Sequence, residues 1–375
     1  MKVMTIVGTR PEIIRLSRVI ARLDRTVEHV LVHTGQNYDY NLNQVFFEDL
    51  DLRAPDHYLG VDTSSLGAVL GGTLIEVEKV LALERPDAVL VLGDTNSCIA
   101  AVMAKRMKIP VYHMEAGNRC FDENVPEEAN RRLVDHVADF NLPYTEHARR
   151  NLLAEGLHPR RMLVTGSPMR EVLETFRPQI EASNVLERLE LTPRGYFLVS
   201  AHREENVDSP KRLRLLVDAL LAVALTFGFP VIVSTHPRTR KRLEALDGYL
   251  PSDKIRFLEP FGFHDYNRLQ LGSACVLSDS GTISEESSIL GFAGITLRES
   301  IERPEALDAG AIIMTGLDKE DILQAITVMM TFSRTELNER SMPNGYEVRD
   351  TSSRVVHFIL STAKRHHQWA GIRTS

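Results

Sequence analysis

Twelve short β-branched or aliphatic runs, separated by helical patterns and each ending in turn or cap residues, restrict this chain to few folds. The first six cover residues 2–7, 29–33, 88–92, 111–114, 140–142 and 162–165. The second six cover 196–200, 231–234, 255–258, 275–278, 294–297 and 311–314. Strands that alternate with helices pair in parallel through helical crossovers, the signature of βαβ units. The polar, weakly patterned stretch EASNVLERLELTPRG divides the two sets, and 375 residues are too many for one small core.

The expectation is an α/β protein of two Rossmann-like domains set face to face. Residues 1–170 form the first, which a helix over 355–375 is expected to complete, and 171–354 form the second. Open parallel sheets bind ligands outside the carboxyl ends of their strands. The loops there, from both domains, are therefore expected to line one interdomain cleft.

Composition narrows the partners. With 44 basic against 51 acidic residues the net charge is −7, which opposes general binding to nucleic acid or anionic membrane. It leaves room for a local basic pocket that holds phosphate. Cys98, Cys120 and Cys275 show no CxxC or metal-type spacing, so a reducing cytoplasm is expected. The start MKVMTIVGTRPEI lacks a secretory apolar region, and no run reaches transmembrane length.

Two loops look built for anions. In GTRPE, Thr9 and Glu12 have capping-box spacing and Pro11 suits a first helical turn, so Arg10 falls at a helix N-terminus. A plain turn with a solvent-facing arginine fits equally well on its own. In DSGTISEE, Ser280 and Gly281 lie where a strand gives way to a helix, so their N–H groups could cradle a diphosphate. Glu286 could accept ribose hydroxyls, although an ordinary N-cap is the alternative. Arg303, one βα unit later, favours a nucleotide diphosphate. No GxGxxG fingerprint is present, so no dinucleotide cofactor is expected.

The acids and histidines follow the same rule of position. Asp94 in VLGDTNS, Glu115 in HMEAGN and Glu127 in VPEEANR follow strand ends of the first half; His202 in SAHREEN and His236 in STHPRT do so in the second. For any one alone, a cap or salt-bridge role is the better reading. Together they suit general acid–base chemistry, which uses carboxylates of differing pKa beside a histidine. Metal binding is the rival, but no paired His/carboxylate spacing supports it, and none is expected. Arg131 and Arg132 are expected as structural ion-pair partners, and Asp122, Glu123 and Glu128 as solvated or capping residues.

The ordered set GTRPE, LGDTNS, MEAGNR, VPEEANRR, HREEN, SDSGTISEE and ERPEALDAG resembles the non-hydrolysing UDP-N-acetylhexosamine 2-epimerases, from residue 1 to about 330. The resemblance implies the two-domain architecture shared with GT-B glycosyltransferases, and inversion of C2 in a UDP-linked 2-acetamido sugar. It places Asp94, Glu115, Glu127 and His202 on acid/base positions, and Arg10, Ser280, Gly281, Glu286 and Arg303 on UDP-binding positions. Tyr266 matches an aromatic near the uracil, and His236 a further cleft histidine. It also implies a cytoplasmic homodimer serving bacterial surface-polysaccharide synthesis.

Three departures bear on the sugar and on allostery. Arg15 replaces the usual lysine and Thr282 the second glycine of SGG, and VDTSSLGAVLGG lacks the glutamine and arginine of an allosteric substrate site. The wording GNRCFDENVPEE, HREENVDSP and LRESIERPEALDAG is similar to the branch that makes UDP-N-acetyl-L-fucosamine from its 2-epimeric L-talose compound. UDP-N-acetylglucosamine/UDP-N-acetylmannosamine interconversion is the alternative. A UDP-sugar glycosyltransferase or a non-catalytic UDP-sugar binder would share the architecture, but has less use for three acids.

Overall fold

The computed structural model describes residues 1–35, 40–235, 237–246 and 252–373. They divide into two units, Met1–Glu174 with Asn344–Ser375, and Thr175–Pro343. Among the described residues each unit contains one six-stranded sheet, parallel throughout.

In the first unit the strands are β1 (Lys2–Val7), β2 (Glu28–His33), β3 (His57–Tyr58), β4 (Ala88–Leu92), β5 (Val111–Met114) and β6 (Phe140–Leu142), in the order β3-β2-β1-β4-β5-β6. The second unit holds β7 (Phe197–Ser200), β8 (Val231–Ser234), β9 (Ile255–Leu258), β10 (Cys275–Ser278), β11 (Gly294–Thr296) and β12 (Ile313–Met314), ordered β12-β11-β10-β7-β8-β9. Read within each unit, both orders are 3-2-1-4-5-6, the dinucleotide-fold order. The strands sit between helix layers and are therefore apolar on both faces. β4, AVLVL, is buried along its whole length.

The run over 162–165 does not form the expected strand. Met162 makes only an isolated bridge to Asn141, and the N–H groups of Leu163 and Thr165 donate to Asn141 O and Pro143 O. Pro143 has no N–H to return, so the ladder stops. The other edge of that sheet is β3, two residues long and too short to carry a pattern.

The chain rejoins the first unit at Asn344, earlier than the expected 355. The Ser167 N–H donates to Gly345 O at 2.8 Å. Gly345 has φ +96°, and a Cβ there would stand 2.5 Å from Tyr144 O, so the close passage needs glycine. The helix Thr351–Ala370 then packs on this unit, with hydrogen bonds from Arg22 to Ser352 and between Tyr112 and Thr362.

Candidate active site

The strand order of the first unit reverses between β1 and β4, the point at whose carboxyl ends open sheets of this kind bind their ligands. Gly8 follows β1 where no side chain fits: a Cβ would lie 2.2 Å from Thr34 Oγ1 and 2.8 Å from Ser97 Oγ. The next residues cap the helix Arg10–Thr26 through the expected Thr9/Glu12 box. Glu12 does more than cap. Its buried carboxylate accepts from the N–H groups of Gly8 (2.8 Å) and Thr9 (2.7 Å) and from the hydroxyls of Thr9, Thr95 and Ser97. Burial pushes its pKa up against the pull of those donors. Glu12 thereby stitches the loop of Arg10 to the loop of Asp94. The Arg10 guanidinium itself lies 5.2 Å from the Phe46 ring.

Asp94 and Glu115 follow the adjacent strands β4 and β5, held in register by the Gly93 N–H on Met114 O. Arg131 Nε donates to Asp94 Oδ2 at 2.7 Å, and Asn130 donates to Asp94 O. Both donors belong to the helix Glu127–Val137, whose first residue is the half-buried Glu127. Glu115 has φ +64°, left-handed backbone that a non-glycine residue adopts at a cost, and its carboxylate pairs with Arg15. So the unusual Arg15 lies directly against a candidate catalytic acid.

Glu128, expected as a solvated or capping residue, is instead held in an ion-pair network with Arg131 and Arg132. It is buried and accepts from the Cys120 N–H (3.2 Å), Arg131 (2.9 Å) and Arg132 (3.3 Å). Burial opposes its charge, but the Cys120 and Arg131 donors hold the carboxyl below its usual pKa. A second buried network supports the loop from beneath. His113 bridges Asp135 Oδ1 (2.9 Å) and Gly93 O (2.7 Å). Asp135 accepts from Arg119 (2.7 Å), which forks onto Glu155 at 2.8 and 2.7 Å.

The second unit repeats the design. Its order reverses between β7 and β10, where buried Asp279 accepts from the N–H groups of His202 (3.0 Å) and Arg203 (3.0 Å) and from Asn206 Nδ2 (3.1 Å). The His202 ring remains partly exposed, its Nδ1 3.5 Å from Asp279 Oδ1. Ser280 and Gly281 turn into the helix Ile283–Leu290. Thr282 adopts φ −69°, ordinary right-handed backbone, which is why a residue other than glycine fits there.

A Cβ on Gly281 would lie 2.4 Å from both Arg303 Nη1 and Glu302 Oε1. Buried Glu302 is flanked by Arg203 (3.6 Å), Arg298 and Arg303 (3.8 Å), and Arg303 also faces buried Glu285 (3.8 Å), so three guanidinium groups meet two carboxylates. Glu286 is buried and accepts from Gln270 at 2.6 Å. Gln270 stands one turn beyond Tyr266 on the helix Phe263–Gly272, so the uracil and ribose candidates belong to one local assembly. His236 lies outside the described residues.

Arg119, Asp135, Gln270 and Glu302 have no signal in sequence beyond their charge or amide, because their partners are distant along the chain. Among the described residues no group of three His, Cys, Asp or Glu side chains is arranged to hold a metal ion, and no helix is long and apolar enough to cross a membrane.

Two doubly wound units, one with paired carboxylates at its switch point and one with a glycine turn among arginines, have the parts of an enzyme for nucleotide-linked sugars. The UDP-N-acetylglucosamine 2-epimerase family model matches residues 21–360. A UDP-N-acetylglucosamine 2-epimerase structure from Rickettsia bellii is 46% identical with a TM-score of 0.93, each chain covered fully. The Methanocaldococcus jannaschii UDP-GlcNAc 2-epimerase in complex with UDP-GlcNAc and UDP is 36% identical, TM-score 0.90, covering 96% of this chain and 100% of that one. The UDP-2,3-diacetamido-2,3-dideoxy-D-glucuronate 2-epimerase of Pseudomonas aeruginosa is 33% identical over 366 residues, 96% of this chain and 99% of its own. The chain belongs to the UDP-N-acetylglucosamine 2-epimerase family and is a UDP-sugar 2-epimerase, a non-hydrolysing isomerase.

Proposed function

We propose that the protein inverts C2 of UDP-2-acetamido-2,6-dideoxy-L-talose to give UDP-N-acetyl-L-fucosamine. The C2 proton has no adjacent carbonyl, so it becomes acidic only as UDP leaves C1 and cationic character develops there. A base takes that proton while the C1–O bond breaks, giving a 2-acetamidoglycal and UDP. Protonation of C2 from the other face, with the β-phosphate oxygen returning to C1, completes the inversion.

In this reading Asp94, Glu115 and Glu127 share the two proton transfers and face the developing cation, with His202 in the acid–base network or near the leaving phosphate. Arg10, the Ser280 and Gly281 amides and Arg303 hold the diphosphate, Glu286 the ribose, and Tyr266 and His236 the rest of the nucleotide. The observation that carries it is the turn at Gly281, where a Cβ would meet both Arg303 Nη1 and Glu302 Oε1, so only backbone fits beside this guanidinium–carboxylate pair and its N–H is left to face a diphosphate. The sugar is read from the stretches GNRCFDENVPEE and LRESIERPEALDAG. The relatives' names favour UDP-N-acetylglucosamine as the second reading.

NMR in D2O with each UDP-sugar separates them. Deuterium at C2 and a new L-fucosamine signal from the L-talose compound alone are expected. Exchange with UDP-N-acetylglucosamine alone would install the second reading.

A cytoplasmic homodimer working in surface-polysaccharide precursor synthesis completes the proposal. Support for the dimer is the helix Leu66–Glu84, mostly apolar, which leaves Leu66, Ile75 and Leu83 exposed. Sedimentation at a single-chain mass would remove it.

A further inference from the structure

The end of the first sheet where its strands begin, opposite the candidate site, carries a pocket of about 270 Å³ that the reaction does not use. Phe140, at the start of β6, and His366 are buried in its wall; Trp369, from the last turn of the helix Thr351–Ala370, and the exposed Arg160 and Arg161 form its rim. The Arg160 guanidinium lies 4.7 Å over the Trp369 ring.

Charge decides what such a pocket accepts. Its one carboxylate, buried Asp139, is already matched by Lys105 and by His366 at 3.0 Å, and accepts the Val111 N–H at 3.0 Å. Among the described residues neither Arg160 nor Arg161 forms an ion pair. On a chain of net charge −7, two guanidinium groups without carboxylates select for an anion. Guanidinium forks fit phosphate oxygens, and an indole with an arginine on it is a stacking platform for a flat ring. The volume falls below the ~300–1,000 Å³ of sites that enclose larger ligands, a size for one mononucleotide rather than a nucleotide-linked sugar.

We propose that this pocket is a second site, binding a nucleoside monophosphate with its phosphate on Arg160 and Arg161 and its base against Trp369.

Trp369 is the chain's only tryptophan, so its fluorescence reads the pocket directly and independently of the epimerase reading. The full chain is titrated with UMP, uridine and inorganic phosphate, beside an Arg160→Ala, Arg161→Ala double variant. Both arginines are exposed, so the variant keeps the fold. A saturable change with UMP is expected, with uridine and phosphate at least tenfold weaker. The double variant should bind UMP at least tenfold more weakly, while its turnover of saturating UDP-sugar is unchanged. Constant fluorescence, an equal response in the double variant (UMP then sitting elsewhere), or phosphate binding as well as UMP would each overturn the proposal.

Discussion

Arg15 and Glu115 form an ion pair in which both side chains are withdrawn from water. Arg15 also lies 5.9 Å from the Tyr144 ring, and Glu115 sits in left-handed backbone, so the carboxylate is fixed from two sides. Glu115→Gln removes the charge opposite a buried guanidinium. The expected rate loss is roughly 10²-fold or more. The expected stability loss is about 3 kcal/mol. Adding Arg15→Met should recover stability and none of the rate. Denaturant unfolding and turnover of both variants check this; a recovered rate would move Glu115 from the chemistry to the fold.

Gly281→Ala tests the other half of the site. The new methyl group must displace Arg303 or Glu302, both buried and 2.4 Å from its position. Overpacking of this kind costs about 1–3 kcal/mol, and most of it should be taken from nucleotide binding if the shifted groups face the diphosphate as proposed. Calorimetry with UDP should show affinity reduced about tenfold. Unchanged affinity would mean the diphosphate does not approach Gly281.

Local chemistry made much of this legible. β4 reads as a strand because AVLVL is apolar at every position, and the Thr9/Glu12 box reads as a helix start because both members lie within one turn. What could not be read depends on partners far apart. Nothing in TRPE says that Glu12 also gathers Thr95 and Ser97, and nothing in NRLQ says that Gln270 reaches Glu286. The error over 162–165 has the same origin: the run suits a strand, but its neighbour contributes Pro143 where a donor is needed.

His33 should make stability fall with acid. It ends β2, stacks on Tyr58 at 5.2 Å, and its Nδ1 accepts the Gly35 N–H at 3.0 Å, so a proton there would face a donor. Burial lowers its pKa from 6.5 to about 4. A depressed histidine pKa favours the folded state above the unfolded value, and that contribution is lost as pH falls from 6.5 toward 4. Between pH 7 and 5 the loss is about 2 kcal/mol. His33→Phe keeps the stack and should lose correspondingly less stability over the same range in denaturant unfolding. An identical pH slope in the variant would assign the acid sensitivity to other groups.

Glu12 and Asp279 occupy the switch points of the two sheets, and each is a buried carboxylate that joins the two loops flanking its crevice. Their removal should separate the functions of the units. Asp279→Asn takes the charge from an acceptor of two backbone N–H groups, about 1.5–3 kcal/mol. Because it loosens both His202 and the Ser280 turn, turnover and UDP affinity should fall together. Glu12→Gln removes a similar set of bonds beside Asp94 and the Arg10 loop, so turnover should fall further than UDP affinity, which keeps the Ser280–Gly281 turn and Arg303 of the second unit. Steady-state kinetics with UDP calorimetry on the two variants reads the difference. If Glu12→Gln weakened UDP as much as Asp279→Asn does, the division into an acid–base unit and a nucleotide unit would be wrong.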